Sequence, residues 1–286
     1  MIKSIIPFIS DKLAEEIVST KPLSGGSISS AYLIKTSKKE YFLKVNRSSN
    51  ALKMFHEEQK GLDAIESTKT IAVPHVHFVD IIDQNAFILM DYIESKRPSP
   101  TDYRRLGQEL AKLHKITFNE FGFTSDNFIG SLPQNNNKHE EWSNFYWNER
   151  IAPQLKLAVE NGLLSEEEAP TEDKFMGLFN SFVGEVRPSL LHGDLWGGNY
   201  LISTEGTPFL IDTAVYYGHN MVDIAMSQLF GSFGIDFYNS YHNVIEKPKH
   251  YDELIDLYQL YYLLVHLNLF GKGYYSSVSA ILNRYF

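Results

Sequence analysis

The chain reads as an α+β protein: an antiparallel sheet with one helix up to about residue 92, then a mostly helical part from 93 to 286. Three observations predict this. Tyr41 to Asn46 alternates like a strand, with Tyr41, Leu43 and Val45 on one face and Phe42 and Lys44 on the other. A polar, proline-bearing stretch, Glu94 to Pro100, then breaks the apolar pattern as a boundary between two lobes would. Beyond it, apolar residues recur at spacings of three and four, the mark of amphipathic helices.

In order, residues 10–20 read as a short helix with Leu13, Ile17 and Val18 on one side. Pro22 to Tyr32 carries Gly25 and Gly26 and reads as strand, turn, strand; by itself such a pair marks an ordinary hairpin. Ala51 to Ile65 is a helix with Leu52, Phe55, Leu62 and Ile65 as its apolar face, and it offers two adjacent acids, Glu57 and Glu58. Ile71 to Val79 and Ala86 to Met90 are strands around the turn Asp83-Gln84-Asn85. Leu106, Leu110, Leu113 and Ile116 mark one later helix; Phe175, Leu178, Phe179, Phe182 and Val186 mark another, stopped by Pro188. The stripe Trp142, Phe145, Tyr146, Trp147 and Arg150 is read as core rather than as a sugar platform, because aromatics dominate cores. Leu254, Leu257, Tyr261, Leu264 and Val265 form the buried face of a last long helix that Gly271 ends.

The chemistry concentrates between Leu190 and Asp212. Ser189–Leu191 leads into His192-Gly-Asp-Leu-Trp-Gly-Gly-Asn199; Tyr200–Ile202 and Phe209–Ile211 then form a hairpin that delivers Asp212 back to the loop. Asp194, Asn199 and Asp212 are the residue types that phosphoryl transfer from ATP requires. A carboxylate takes the proton of the attacking hydroxyl, and oxygen ligands hold Mg²⁺ on the phosphates. The spacing from Asp194 to Asn199, with a second Asp further on, matches the kinase arrangement. His192 and His266 are read as structural histidines.

This stretch resembles the signature of the fructosamine kinase (ketosamine 3-kinase) family, whose fold is protein-kinase-like and bilobal; Trp196 separates it from the neighbouring aminoglycoside and choline kinases. The segment from Asn127 to Asn135 is also similar to the family. The resemblance implies an ATP-binding N-lobe, residues 1–92, and a catalytic, substrate-binding C-lobe, residues 93–286. It implies that Gly25, Gly26 and Ser27 lie over ATP, that Lys44 grips phosphate supported by Glu58, and that Met90, Asp91 and Tyr92 form the hinge against adenine. Asp194 becomes the base, Asn199 and Asp212 the Mg²⁺ ligands, and Trp196 a residue facing the sugar or its amine. The substrate it implies is a fructosamine or ribulosamine, as a small glycated amine or on a glycated protein lysine, phosphorylated on the sugar 3-hydroxyl. The sequence departs from the family at Thr213, where proline is usual, and at Asn220-Met221, where Arg-Glu is usual; neither change removes a phosphoryl-transfer residue. The alternatives are a kinase of the aminoglycoside or choline type and a non-catalytic nucleotide-binding module. A module that only binds has no need of Lys44, Asp194, Asn199 and Asp212 together.

Composition bounds these readings. A 43% apolar share supports a sizeable core, and the absence of cysteine removes disulfides, thiolate metal sites and a cysteine nucleophile. A net charge of −9 argues against nucleic acid, which seeks a basic surface. No stretch reads as a signal peptide or a membrane span, so the expected location is the cytoplasm.

Overall fold

The computed structural model describes residues 2–23 and 29–286. The first elements are α1 (Ile2–Leu13), β1 (Ile17–Leu23), β2 (Ser30–Thr36), β3 (Glu40–Asn46), α2 (Ala51–Thr68), β4 (Val76–Ile82) and β5 (Asn85–Asp91). Then follow α3 (Pro100–His114), β6 (Asn127–Ile129), β7 (Leu132–Gln134), α4 (Trp142–Tyr146), α5 (Ala152–Glu160), α6 (Glu172–Val183) and β8 (Ser189–Leu191). The chain finishes with β9 (Tyr200–Ile202), β10 (Pro208–Leu210), β11 (Tyr216–Gly218), α7 (Met221–Leu229), α8 (Ile235–His242), α9 (Tyr251–Phe270) and α10 (Tyr275–Tyr285). Two compact units result: Met1–Arg97 with Leu201–Ile211, and Pro98–Tyr200 with Asp212–Phe286. The short hairpin β9–β10 therefore groups mainly with the first unit, although it follows residue 92 by more than a hundred positions.

The first unit is an antiparallel five-stranded sheet in the order β1-β2-β3-β5-β4. The alternation in β3 buries Tyr41, Leu43 and Val45 against Ile34, Phe87, Leu89, Ile5 and Ile9. Full burial of each such aliphatic side chain stabilises the fold by roughly 1.5–3 kcal/mol. Ile5 and Ile9 come from α1, and here the sequence reading is corrected. The helix covers residues 2–13, not 10–20, and Ile17-Val-Ser-Thr20 begins a strand. The apolar residues Ile2, Ile5, Ile6 and Ile9 have helical spacing, whereas Ile17, Val18 and Thr20 are β-branched and favour a strand. Ala14, at φ 52°, makes the turn between them. The strand expected from Ile71 starts only at Val76, because Pro74 has no N–H for a ladder. Asp83 and Gln84 both have positive φ, as a two-residue hairpin turn of the I′ kind requires.

In the second unit, Ser99 and Asp102 form a reciprocal capping box at the start of α3, with Pro100 in the first turn. This is why the proline-bearing stretch gives way sharply to helix. Ile116 lies beyond the end of α3, and α6 stops at Val183 because Gly184 turns at φ 62°, ahead of both Val186 and Pro188. The aromatic stripe is core, as read: Trp142, Phe145, Tyr146 and Trp147 are buried. Arg150 is fully buried, its guanidinium 4.0 Å from the Tyr216 ring centre and 4.7 Å from that of Phe145. Its Nη1 and Nη2 donate to Asn135 O at 2.5 Å and Asn136 Oδ1 at 2.7 Å. Helix α9 buries Leu254, Leu257, Tyr261, Leu264 and Val265 as expected, and Tyr258, Leu260, Tyr262 and Leu263 besides. A helix apolar all round is a central one, and the unit packs around it.

Candidate active site

Two strands and the loops at one end of them build the site. β8 and β11 pair antiparallel, with Leu191 opposite Tyr216. The chain leaving β8 is His192-Gly193-Asp194; the chain entering β11 is Asp212-Thr213-Ala214-Val215. The two segments touch through backbone: Ala214 N donates to His192 O at 2.9 Å. Gly193 is required there. It has φ 85°, and a Cβ on it would lie 2.0 Å from Ala214 O.

The loop is held from beneath by a buried carboxylate. Asp223, on α7, accepts from His192 N at 2.7 Å and Gly193 N at 2.9 Å, and its Oδ2 lies 3.1 Å from His114 Nε2. Burial by itself would raise its pKa, but the hydrogen bond and charge of His114, with the charge of His192 and the Gly193 amide, hold it below the usual carboxylate value. Tyr262 on α9 donates its hydroxyl to Gly193 O at 2.7 Å. His192 is fully buried and its Nδ1 accepts from Asp194 N at 3.2 Å, so it orders the loop, as read.

Asp194 is half-buried. Asn199 Nδ2 donates to both Asp194 O (2.8 Å) and Asp194 Oδ2 (3.1 Å). Desolvation first, and then the charge of Asp212, push the Asp194 carboxyl up to about 7; the Asn199 bond acts in the opposite direction. Asp212 itself adopts φ 55°, a left-handed conformation that is costly for a residue with a side chain and that clusters at functional sites. The Asp212 carboxylate and the Asn199 amide oxygen are hard oxygen donors, of the kind that suits Mg²⁺. A bound divalent cation would also relieve the mutual repulsion that raises Asp194. Beside Asp212, the buried hydroxyl of Thr213 has no hydrogen-bond partner among the described residues.

Trp196 is 39% exposed. Its ring covers Gly198, where an added Cβ would fall 2.4 Å from the indole. The space that Gly198 leaves is thus taken by Trp196 itself, whereas a Cβ at Gly197 would meet nothing within 4 Å among the described residues.

In the first unit, Lys44 Nζ meets Glu58 Oε1 at 2.7 Å, with both side chains 13% exposed. Glu57 points elsewhere, to Lys60 at 2.7 Å. Met90 and Asp91 end β5. The N–H groups of Asp91 and Tyr92 donate within the sheet, to His75 O (3.0 Å) and Glu40 O (3.4 Å). The Asp91 carboxylate is taken by His77 at 2.8 Å and Lys39 at 3.1 Å. Gly25, Gly26 and Ser27 lie outside the described residues.

Sequence reasoning gave no role to Asp223, Tyr262, Asn127 or Gln134. Asp223 had a usable signal: it is the one acid in the otherwise apolar run Met221 to Met226, and such a carboxylate needs buried donors. The tyrosine had none, since a hydroxyl aimed at a backbone carbonyl leaves no pattern in sequence.

A lysine on an antiparallel sheet paired with a glutamate of the next helix, and a His-Gly-Asp loop with Asn and a second Asp, are the features of a phosphotransferase of the protein-kinase-like fold. The fold likeness is independent of close kinship: the aminoglycoside phosphotransferase APH(4)-Ia superposes with a TM-score of 0.63 over 99% of both chains at 16% identity. The sequence profile of the fructosamine kinase family matches residues 1–286, and the chain belongs to that family. A protein of Enterococcus faecium named as a probable ketoamine kinase is 38% identical over 267 residues, 92% of this chain and 94% of its own. The chloroplastic protein-ribulosamine 3-kinase of Arabidopsis thaliana is 38% identical over 278 residues, 95% of this chain and 84% of its own. A crystal structure of a protein from Haemophilus somnus, assigned as a fructosamine-3-kinase, covers 100% of this chain and 98% of its own with a TM-score of 0.89 at 27% identity. No helix among the described residues is long and apolar enough to cross a membrane.

Proposed function

We propose that the protein transfers the γ-phosphoryl group of ATP to the sugar 3-hydroxyl of a ketosamine, a fructosamine or ribulosamine formed from a sugar and an amine. It is a phosphotransferase acting on an alcohol group, as its family is. The observation that carries the residue assignments is the joining of Asp194, Asn199 and Asp212 around one backbone contact, Ala214 N to His192 O. Asp194 accepts the proton of the attacking hydroxyl, and the Asn199 amide that donates to its Oδ2 fixes the carboxylate for that task. Asn199 offers its amide oxygen, and Asp212 its carboxylate, to Mg²⁺, which when bound neutralises charge on the phosphates. Lys44, fixed by Glu58, grips phosphate, and Gly25, Gly26 and Ser27 supply backbone N–H groups to it. The Met90–Tyr92 segment flanks adenine, and Trp196 faces the sugar or its amine. The ketosamine is borne by a small amine or by a glycated protein lysine, in the cytoplasm.

The test is ATP turnover on a panel of fructosamines, ribulosamines, aminoglycosides and choline, scored by kcat/KM with Asp194→Asn as control. The expected result is preference for a ketosamine, with the variant losing roughly 10²–10⁴-fold in kcat while nucleotide binding persists. Preference for an aminoglycoside or choline, or near-normal kcat in the variant, would overturn the reading.

A further inference from the structure

The hairpin β6–β7 has no place in the chemistry so far, yet its two amide side chains reach the segment that follows Asp212. Asn127 Nδ2 donates to Val215 O at 2.8 Å. Gln134 Nε2 donates to Asn127 Oδ1 at 2.7 Å and to Ala214 O at 3.2 Å. Tyr261 on α9 completes the chain by donating its hydroxyl to Gln134 Oε1 at 2.7 Å. Asn127, Gln134 and Tyr261 are 6%, 1% and 1% exposed, so these bonds form away from water, where an unmade one is costly.

The segment they hold contains the strained residue. Asp212 at φ 55° persists only if its surroundings over-determine it. On its C-terminal side the surroundings are these: Ala214 fixed by His192 O at its N–H and by Gln134 at its carbonyl, and Val215 fixed by Asn127. The hairpin is anchored in turn, since Asn135 and Asn136 receive the buried guanidinium of Arg150. The adjacent tyrosines of α9 divide the work. Tyr262 bonds the loop of Asp194 through Gly193 O, and Tyr261 bonds the segment of Asp212 through Gln134.

We infer that Asn127, Gln134 and Tyr261 are positioning residues that hold Asp212 in its left-handed conformation and so set the affinity of the site for Mg²⁺. The inference rests on the reading of Asp212 as a metal ligand. None of the three need touch substrate or cation; they act through the backbone of Ala214 and Val215. Gln134→Glu keeps the size of the side chain and its acceptor for Tyr261, but loses the amide that donates to Ala214 O. Tyr261→Phe removes a single hydroxyl and keeps the ring, which guards against a Gln134 variant that does not fold.

The experiment measures melting temperature with AMP-PNP at fixed concentration over a Mg²⁺ titration, with and without the cation. In Tyr261→Phe, which loses one buried hydrogen bond, the Mg²⁺ concentration giving half the stabilisation should rise by about fivefold to tenfold, and in Gln134→Glu, which loses the donations to both Asn127 and Ala214, by at least as much. Stabilisation by AMP-PNP without Mg²⁺ should be unchanged, and KM for Mg²⁺·ATP should rise more than kcat falls. A merely structural role predicts a lower melting temperature with an unmoved Mg²⁺ midpoint, and that result would overturn the inference. If the wild-type protein itself gave no Mg²⁺-dependent shift, the metal reading would fall first and the positioning role with it.

Discussion

At the scale of single residues, the contact proposed between Trp196 and the sugar is what would turn a general kinase site into a particular one. Its indole lies over Gly198 and remains 39% exposed, so it is neither a core residue nor free of the loop. An amphipathic ring in that position can stack on a sugar face. Trp196→Phe should therefore raise KM for the ketosamine several-fold, with ATP affinity unchanged and the melting temperature within a few degrees, because little buried area is lost. A fall in melting temperature with an unaltered ketosamine KM would remove Trp196 from substrate contact. The pairing of Lys44 with Glu58 was open to residue-level reading only as far as two adjacent acids. Helical periodicity separates neighbours by about 100°, but does not say which of them meets a strand lysine.

At the scale of elements, the His192–Asp194 loop depends on one close approach. Gly193→Ala places a methyl group against the Ala214 carbonyl, in a backbone conformation that alanine avoids. It should cost roughly 3 kcal/mol or more, about 6–12 °C in a chain of this size, and lower kcat as Asp194 moves. Gly197→Ala, with open space around its Cβ, should change stability by less than about 0.5 kcal/mol; a thermal melt of each variant checks the contrast. The strands flanking this loop were legible because short apolar runs bounded by glycine carry their own signal. The pairing of β8 with β11 was not, because it joins residues more than twenty positions apart and no local pattern specifies the partner. Helix α1 was misplaced for the opposite reason: its spacing signal was present at Ile2 to Ile9, but Pro7 stands inside it.

At the scale of the whole molecule, the alternation of β3, the break near residue 100 and the periodicity beyond it made the division into sheet and helices readable. The buried polar network beneath the loop was not, because hydrogen bonds among His114, Asp223, Tyr241 and Asn220 depend on packing that no spacing predicts. The departure at Asn220-Met221 is absorbed there: Asn220 donates to Tyr241 at 2.8 Å, and Met221 is buried. This interior also sets the acid response. Burial, and then the neighbouring His114, pull His219 down to about 3, so the folded state refuses a proton that the unfolded chain accepts near pH 6.5. The contribution of this group to stability then falls as pH drops from about 6.5 toward 3, by about 1.4 kcal/mol per pH unit, while Asp194, whose carboxyl is raised, acts in the opposite sense between about pH 7 and 4. Asp223, whose pKa is lowered, adds a further loss only below about pH 4, the unfolded carboxylate value. The urea midpoint should fall less from pH 7 to 4.5 in His219→Asn than in the wild type; equal slopes would refute the assignment.

The tyrosines packed around Arg150 and α9 have an optical consequence. Burial raises Tyr146, Tyr258 and Tyr262 far above the ordinary phenol and Tyr216 to about 12. The stability this protonated set contributes is complete below about pH 10, where unfolded tyrosine ionises, and drains away above it. In an alkaline titration the ultraviolet band of phenolate should thus arrive late for these rings, in a single sigmoidal step. The step should coincide with the collapse of the near-ultraviolet dichroism. The interior would announce its opening as a delayed rise in ultraviolet absorbance.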